Sequence, residues 1–333
     1  MGAGDRGAPA RGSGPLTGSA LLPALRDAAD YARARLQSEL WLPALRAICA
    51  RHGLDADPLE PFLPTGTHVT FAAGREHVLK LFARFWPRDF AVESACAGSV
   101  RDLGVEVPEI VATGEIEGWP YLVLRRLGGV RLDRAWPRLD ARSRAAIAEE
   151  LGACAARLHA LPLRGLEALP RDWEGFVREQ RERCAERHRA HGAPEEWLRA
   201  IPAFLDRALG PAPSPRRVLL HADLCDDNLL VREEGSHARL GAVLDFADAR
   251  IGDPEYEFAG PSLFLAAGDG SLQRALLRAY GYAESELDEA LALRLTAFLL
   301  LHRYVHLPDV LASLGSPAPR DPVALARRLW PFF

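Results

Sequence analysis

The sequence predicts an α+β chain built as two lobes around a cleft. Three observations predict it. Strand-like alternation is concentrated before residue 127, the pair Gly128-Gly129 marks a junction, and the chain beyond reads as helical except for one β insertion at 218–246. With 333 residues, 48% hydrophobic and 26% charged, the chain is long enough to bury a core in each lobe.

Residues 1–20 are rich in Gly, Ala, Pro and Ser without apolar periodicity and read as a disordered leader. The Met-Gly start lacks the Ser or Thr of a myristoylation signal. An N-terminal lobe is expected over 21–127. It opens with packing helices between 21 and 52, where Leu22, Leu25, Ala29 and Tyr31, then Leu42, Leu45 and Cys49, recur at helical spacing. The runs His68-Val69-Thr70-Phe71 and His77-Val78-Leu79-Lys80-Leu81-Phe82, joined through Gly74, predict a hairpin. A helix over 89–103, a strand near 107–112 and a strand at Trp119–Leu124 running into a linker complete this lobe. The C-terminal lobe, 128–333, is expected to carry helices at 139–160, 171–190 and 195–209, short strands at 218–220, 228–231 and 239–246, and a mostly helical remainder.

A net charge of −4 supplies no positive field to gather polyanions, so nucleic acid is not the expected partner. The cysteines at 49, 96, 154, 184 and 225 are odd in number and scattered without a CxxC pair, which suggests free thiols in a reducing compartment and no zinc site. The longest strongly apolar stretch, Leu293–Leu301, is interrupted by Arg294 and too short to span a bilayer. These readings together predict a cytoplasmic protein without a membrane segment.

The chain has 40 arginines but one lysine, Lys80, and one asparagine, Asn228. Codons for both residues begin with two adenines, so a gene under heavy GC pressure sheds them wherever their chemistry is replaceable. The positions of the two survivors are therefore informative.

Asn228 lies in Val218-Leu-Leu-His221-Ala-Asp223-Leu-Cys-Asp226-Asp227-Asn228-Leu-Leu-Val231, which precedes Ala242-Val-Leu-Asp245-Phe246-Ala247-Asp248 and Gly252-Asp253-Pro254. Each polar residue here ends an apolar strand or sits in the loop leaving one, so carboxylates and an amide project from a rigid support. Phosphoryl transfer requires such groups: a carboxylate to orient the attacking hydroxyl and oxygen ligands to hold magnesium against the phosphates.

In these residues the chain resembles the aminoglycoside phosphotransferase family, the antibiotic-resistance kinases related to choline kinases and, more remotely, to protein kinases. His221, Asp223 and Asn228 meet its H-x-D-x-x-x-x-N pattern, Asp245-Phe246-Ala247-Asp248 its D-F-x-D, and Gly252-Asp253-Pro254 its trailing G-D-P. The resemblance covers roughly residues 60–310 and implies a two-lobed protein-kinase-like fold, with a small β-rich N-lobe and a larger helical C-lobe. It implies that Asp223 is the catalytic carboxylate, that Asn228 and Asp245 bind Mg²⁺, and that Lys80 reaches the phosphates of ATP or GTP. His221 reads as a brace of the loop, and Asp253 as a support of the second one.

Lys80 suits that role because a compact ammonium between phosphate oxygens and a carboxylate is not replaced by a planar guanidinium. Its expected partner is Glu93, thirteen residues on in a helical segment, with Glu76 as the alternative. Gly66 lies where the family's phosphate-covering loop would be, although Pro64-Thr65-Gly66-Thr67-His68 has one glycine and no G-x-G-x-x-G. Backbone groups of Arg125 and Leu127, in the strand-to-linker hinge, would read the base edge.

The acceptor side is thinner. Asp226, Asp227, Glu255 and Glu257 are the acidic residues placed to meet a small, hydroxylated, cationic acceptor, with simple solvation as the alternative for the first two. Glu179 and Glu182 lie among arginines and read as a salt-bridged helix face. The expected function is transfer of the γ-phosphoryl group to an aminoglycoside or aminocyclitol, conferring antibiotic resistance. Its rivals are a metabolite kinase on the same fold (choline, macrolide, homoserine or glycated amine) and a silent pseudokinase. A third reading takes His221, Asp223 and a distant His302 or His306 as a two-histidine, one-carboxylate iron site.

Overall fold

The structure, a computed structural model, describes residues 20–62, 66–100, 102–210, 216–234, 237–265 and 270–332. The expected leader, apart from Ala20, lies outside the described residues. The first lobe is built on an antiparallel sheet in the order β1-β2-β3-β5-β4, with β1 Leu59–Pro61, β2 Val69–Ala73, β3 His77–Leu81, β4 Ile110–Ile116 and β5 Trp119–Arg125.

Period-two alternation gives this sheet two apolar faces. Val69, Phe71, Leu79, Leu81, Tyr121 and Val123 face outward. There α1 (Ala28–Ala34) and α2 (Leu42–His52) cover them through Tyr31, Trp41, Leu45 and Ile48. Each such fully buried side chain stabilises the lobe by roughly 1.5–3 kcal/mol. Val78, Leu122 and Leu124 point the other way, toward Phe90 of α3 (Asp89–Ser99). Lys80 shares that inner face, in register with Thr70 and Leu122.

Two local expectations shift. The helix expected to run to 103 ends at Ser99, because Asp102 (φ 59°) and Gly104 (φ 79°) adopt left-handed backbone that a right-handed helix cannot contain. The single strand expected near 107–112 divides in two: Glu106 bridges Ala242 of the second lobe, whereas β4 begins at Ile110 and pairs with β5. This stretch thus tethers one lobe to the other.

The second lobe holds two small sheets and most of the helices. β6 (Val130–Arg131), β8 (Leu229–Glu234) and β9 (His237–Val243) form one antiparallel sheet, and β7 (Val218–Leu220) pairs with β10 (Arg250–Gly252) in the other. Around them lie α4 (Leu132–Ala135), α5 (Ala141–Ala160), α6 (Trp173–Ala190), α7 (Glu195–Leu209), α8 (Ala259–Leu265), α9 (Gly270–Tyr280), α10 (Glu289–Leu301), α11 (Leu307–Leu314) and α12 (Pro322–Leu329). The apolar run seen in the sequence is α10, which is buried almost all round because it forms the centre of the helical core. Among the described residues no helix is long and apolar enough to cross a membrane. α5 and α9 approach so closely at Gly152 that a Cβ there would overlap the Leu276 carbonyl, which only glycine avoids.

Candidate active site

The loops that leave β7 and β9 open into the space beneath the first lobe's sheet. Asp223 follows β7, a 3₁₀ turn over Asp226–Asn228 leads into β8, and Asp245 follows β9. The strand expected to carry Asp245 stops two residues short of it. Asp245 instead takes a left-handed backbone (φ 62°), as does Ala222 beside Asp223 (φ 65°). Such conformations are costly for residues other than glycine and persist where surrounding bonds enforce them.

Those bonds are present. The Asp245 carboxylate accepts from the Ala247 amide at 3.2 Å, and the Ala222 carbonyl accepts from His302 Nε2 at 3.0 Å. His221 is fully buried; its Nε2 donates to the Leu244 carbonyl at 2.8 Å, and its Nδ1 accepts from the Asp223 amide at 3.3 Å. It fastens the two loops together, and with both ring nitrogens on backbone it has none to offer a metal. His302 gives its Nε2 to the Ala222 carbonyl and keeps an unpartnered Nδ1, and His306 Nδ1 is unpartnered too, but among the described residues no three His, Cys, Asp or Glu side chains converge on a metal position. This geometry does not support the iron reading.

The lobes meet at a buried triad. Lys80 Nζ lies 2.6 Å from Glu93 Oε2 and 2.7 Å from Asp245 Oδ1, so the second lobe's loop is ion-paired to the first lobe's strand and helix. Burial works against the Lys80 charge, but the attraction of Asp245 and Glu93 prevails and raises its pKa. Burial likewise pushes Asp245 upward, yet Lys80 draws it down to about 2. For Glu93 burial wins over Lys80, and with Asp245 adding repulsion its pKa rises to about 7. Two carboxylates share one ammonium, which leaves surplus negative charge for a further cation. Glu76, the alternative partner, stands instead beside the hinge, where its carbonyl accepts from the Arg126 amide at 2.8 Å.

Asn228 donates through Nδ2 to the Asp223 carbonyl (2.9 Å) and to its carboxylate (3.0 Å), leaving Oδ1 as the ligand-capable atom of the amide. Burial raises the Asp223 pKa; His221 opposes it, and Asp245 and Asp227 add to it. Asp223, Asp227, Asn228 and Asp245 line a cleft of about 350 Å³ with Gly66, Thr67, Asp89, Asp248 and Tyr304. Pro64 and Thr65 of the expected phosphate-covering loop lie outside the described residues. An adjoining narrow slot runs past Lys80 and Glu93 between Val78 and Leu124 above and Leu127 and Leu244 below. At its rim the Arg125 amide is engaged by the Glu109 carbonyl at 2.8 Å, so only the carbonyl of Arg125 is left for a ligand, beside the Leu127 amide.

The four acceptor-side residues separate. Asp227 lines the cleft and accepts from the Cys225 thiol at 2.8 Å. Asp226 is half-buried outside it. Glu257 corrects the sequence expectation: it is 1% exposed, bonds the His221 and Ala222 amides, and meets His159 Nε2 at 3.2 Å. Glu255 also turns away from the cleft, toward Tyr282 and Arg294. The 3₁₀ turn over Pro254–Phe258 causes both departures, because its three-residue period points the two glutamates in different directions, Glu257 behind the Asp223 loop and Glu255 toward Tyr282 and Arg294. Asp89 and Tyr304 belong to the cleft without any signal in the sequence; Asp89 also holds the buried ring of His68 at 3.0 Å.

Known proteins are similar in fold. The GDP and kanamycin complex of APH(2")-IIIa is 18% identical with a TM-score of 0.64, over 78% of this chain and 89% of that one. Aminoglycoside phosphotransferase APH(4)-Ia is 18% identical with a TM-score of 0.59, over 86% and 98%. The streptomycin and ATP ternary complex of APH(2")-IIa is 16% identical with a TM-score of 0.56, over 78% and 90%. Residues 62–293 match the model of the phosphotransferase enzyme family, and the chain belongs to that family as a kinase-type phosphotransferase.

Proposed function

We propose that the chain transfers the γ-phosphoryl group of ATP or GTP to a hydroxyl of a small acceptor, with Asp223 as the carboxylate that orients the hydroxyl and takes its proton. The Glu93–Lys80–Asp245 triad carries this reading: it presents the chain's one ammonium, fixed by two carboxylates, beside a narrow, largely apolar slot between Val78 and Leu124 above and Leu127 and Leu244 below. Lys80 binds the phosphates, Glu93 holds Lys80 in place, and the Arg125 carbonyl and Leu127 amide meet the edge of the base. Gly66 belongs to the loop over the phosphates. The acceptor oxygen bonds to the γ-phosphorus as the bridging P–O bond breaks, and the nucleoside diphosphate leaves.

Asn228 Oδ1 and the Asp245 carboxylate are the residues that would hold Mg²⁺. Hard oxygen donors beside surplus negative charge fit an ion that takes one or two protein carboxylates and completes its shell with phosphates and water. When bound, it supplies charge neutralisation at the transferring group.

The cleft's aspartates suit an acceptor bearing amines, and the similar structures include complexes with kanamycin and with streptomycin. An aminoglycoside or aminocyclitol, phosphorylated to give resistance, is therefore the first acceptor class to test, ahead of other hydroxylated amines. A screen of nucleotide consumption across these classes, run beside Asp223→Ala, tests the reading. Consumption that depends on an acceptor in the parent but not in the variant supports it, and an equally active variant removes Asp223 from the mechanism.

A further inference from the structure

The guanidinium groups of Arg250, which is buried, and Arg187, which is half-buried, have no carboxylate bonded to them. Lys80 and Arg294, by contrast, are ion-paired, Lys80 with Glu93 and Asp245 and Arg294 with Asp253 at 2.8 Å, whereas Arg144 also lacks a carboxylate but has its guanidinium on the Trp136 and Pro137 carbonyls and against the Trp136 ring. Arg250, 9% exposed, lies with its guanidinium carbon 3.8 Å from the centre of the Phe176 ring, and its side chain has no hydrogen bond or ion pair among the described residues. Arg187 is held only by the neutral oxygens of Leu300 (2.8 Å) and Gln180 (3.2 Å), and its Nε is buried without a partner. Burial depresses the pKa of both, and their surroundings, Tyr256, Tyr304 and Glu179 for Arg250 and Cys184 and Tyr256 for Arg187, offset it only in part.

Both line a groove of about 840 Å³ in which arginines outnumber carboxylates seven to three. Those carboxylates are poorly placed to compensate them. Asp172 caps the N-terminus of α6 through the Gly175 amide, Glu179 pairs with Arg183 at 3.0 Å, and Glu186 bonds neither Arg250 nor Arg187. The groove adjoins the Asp223 cleft. Arg88 and Arg303 line the groove while their chain neighbours Asp89, His302 and Tyr304 line the cleft, and Arg303 is ion-paired with Asp248 across the boundary.

We infer that the groove is the far end of the acceptor site, and that the acceptor carries a carboxylate or phosphate that docks on Arg250 and Arg187 while its hydroxyl and amine occupy the aspartate-lined cleft. A guanidinium that lines a groove with no carboxylate bonded to it suits an anion, since carboxylate and phosphate match its planar fork; Arg250 supplies that fork, and Arg187, bonded to Leu300 and Gln180, adds its charge. The inference rests on the phosphotransfer reading and narrows the acceptor from a wholly cationic amino sugar to a zwitterion.

Matched pairs of acceptors test it: amino alcohols beside the corresponding hydroxy amino acids, and amino sugars beside their phosphorylated or uronic counterparts. With the parent protein, the acid-bearing member of a pair is expected to be phosphorylated at the lower KM. Arg250→Gln is expected to raise that KM about tenfold or more, the worth of a charged hydrogen-bonded pair, while the nucleotide KM stays unchanged. Arg250→Lys, which keeps the charge and the stem packed on Phe176, serves if the glutamine variant fails to fold, and an intermediate KM is expected. Arg178→Gln, at the groove's edge, reports the effect of removing any one arginine.

Preference for the acid-free members, with Arg250→Gln like the parent, overturns the inference and leaves phosphotransfer standing. Inorganic phosphate that binds at Arg250 but does not compete with the acceptor also overturns it, because the groove would then be a regulatory anion site. If no acceptor of any class consumes nucleotide, the phosphotransfer reading fails and the acceptor inference with it.

Discussion

Glu257 accepts hydrogen bonds from the backbone amides of His221, at 2.7 Å, and Ala222, at 3.0 Å, and so holds the turn from which Asp223 projects. A carboxylate contributed by the loop after Gly252-Asp253-Pro254 thus fixes the loop that presents the proposed base. Ala222 can stay in its left-handed conformation because Glu257 holds its amide and His302 its carbonyl.

Glu257→Gln replaces one of the two acceptor oxygens with a donor that faces an amide. Hydrogen bonds to charged groups contribute about 1.5–3 kcal/mol, and the loss should appear as a lower urea midpoint with an unchanged slope. Turnover should fall with the nucleotide KM nearly unaffected. Burial raises the Glu257 pKa, but His159 and the amide of His221 outweigh it and hold it below the ordinary value. The contribution is therefore present above the unfolded glutamate range and is lost as pH falls through the folded pKa. A variant as stable as the parent at neutral pH would remove Glu257 from this role.

Lys80→Arg keeps the charge and changes the shape. A guanidinium cannot replace an ammonium seated 2.6 Å and 2.7 Å from two carboxylates without displacing one of them. Steady-state kinetics should show a higher nucleotide KM, a lower kcat, or both. Parental values would mean that the chain's single lysine is where it is by chance.

Glu93→Gln separates stability from activity. Glu93 has a folded pKa of about 7 against an ordinary value of 4.5, because burial outweighs Lys80. The raised value gives stability that is fully present below the unfolded pKa and is lost as pH rises through about 7. Without metal or nucleotide, Glu93→Gln should therefore be more stable than the parent above pH ~8 while losing activity there, since the neutral amide holds Lys80 less firmly. Chemical denaturation at acid and alkaline pH reads the first effect and turnover the second. A variant destabilised at alkaline pH contradicts the surplus-charge account of the triad.

Asp245→Asn removes one of the two residues proposed to hold Mg²⁺ and an ion-pair partner of Lys80. Turnover should nearly vanish and added magnesium should not restore it. Full activity would end the metal assignment.

Much of this site was legible because chemistry restricts residue type. In a chain with 40 arginines, the one lysine and one asparagine stood out by composition alone; periodicity placed Lys80 on a strand and Glu93 on a helix, and the family resemblance paired them. The segments proposed as catalytic were read from their resemblance to the family's ordered motifs. What stayed hidden depends on backbone direction. Nothing in Pro254-Glu255-Tyr256-Glu257 says that a 3₁₀ turn will carry both glutamates away from the cleft, so they looked like acceptor residues. Nor does sequence periodicity reveal a left-handed residue after a strand, which is why β9 was drawn through Asp245. Arg250 and Arg187 were lost among the other arginines, because only tertiary burial separates a cation with a carboxylate from one without.

The most direct test of the central claim follows the phosphoryl group itself. Nucleotide labelled at the γ-phosphorus is incubated with magnesium and the acceptor panel, and label is measured in acceptor and diphosphate for the parent and for Asp223→Ala. Label should pass to an acceptor hydroxyl in the parent, and at a rate roughly 10²–10⁴-fold lower in the variant, with nucleotide affinity unchanged. A parent that binds nucleotide yet moves no label to any acceptor, or a variant that transfers it as fast, would contradict the account.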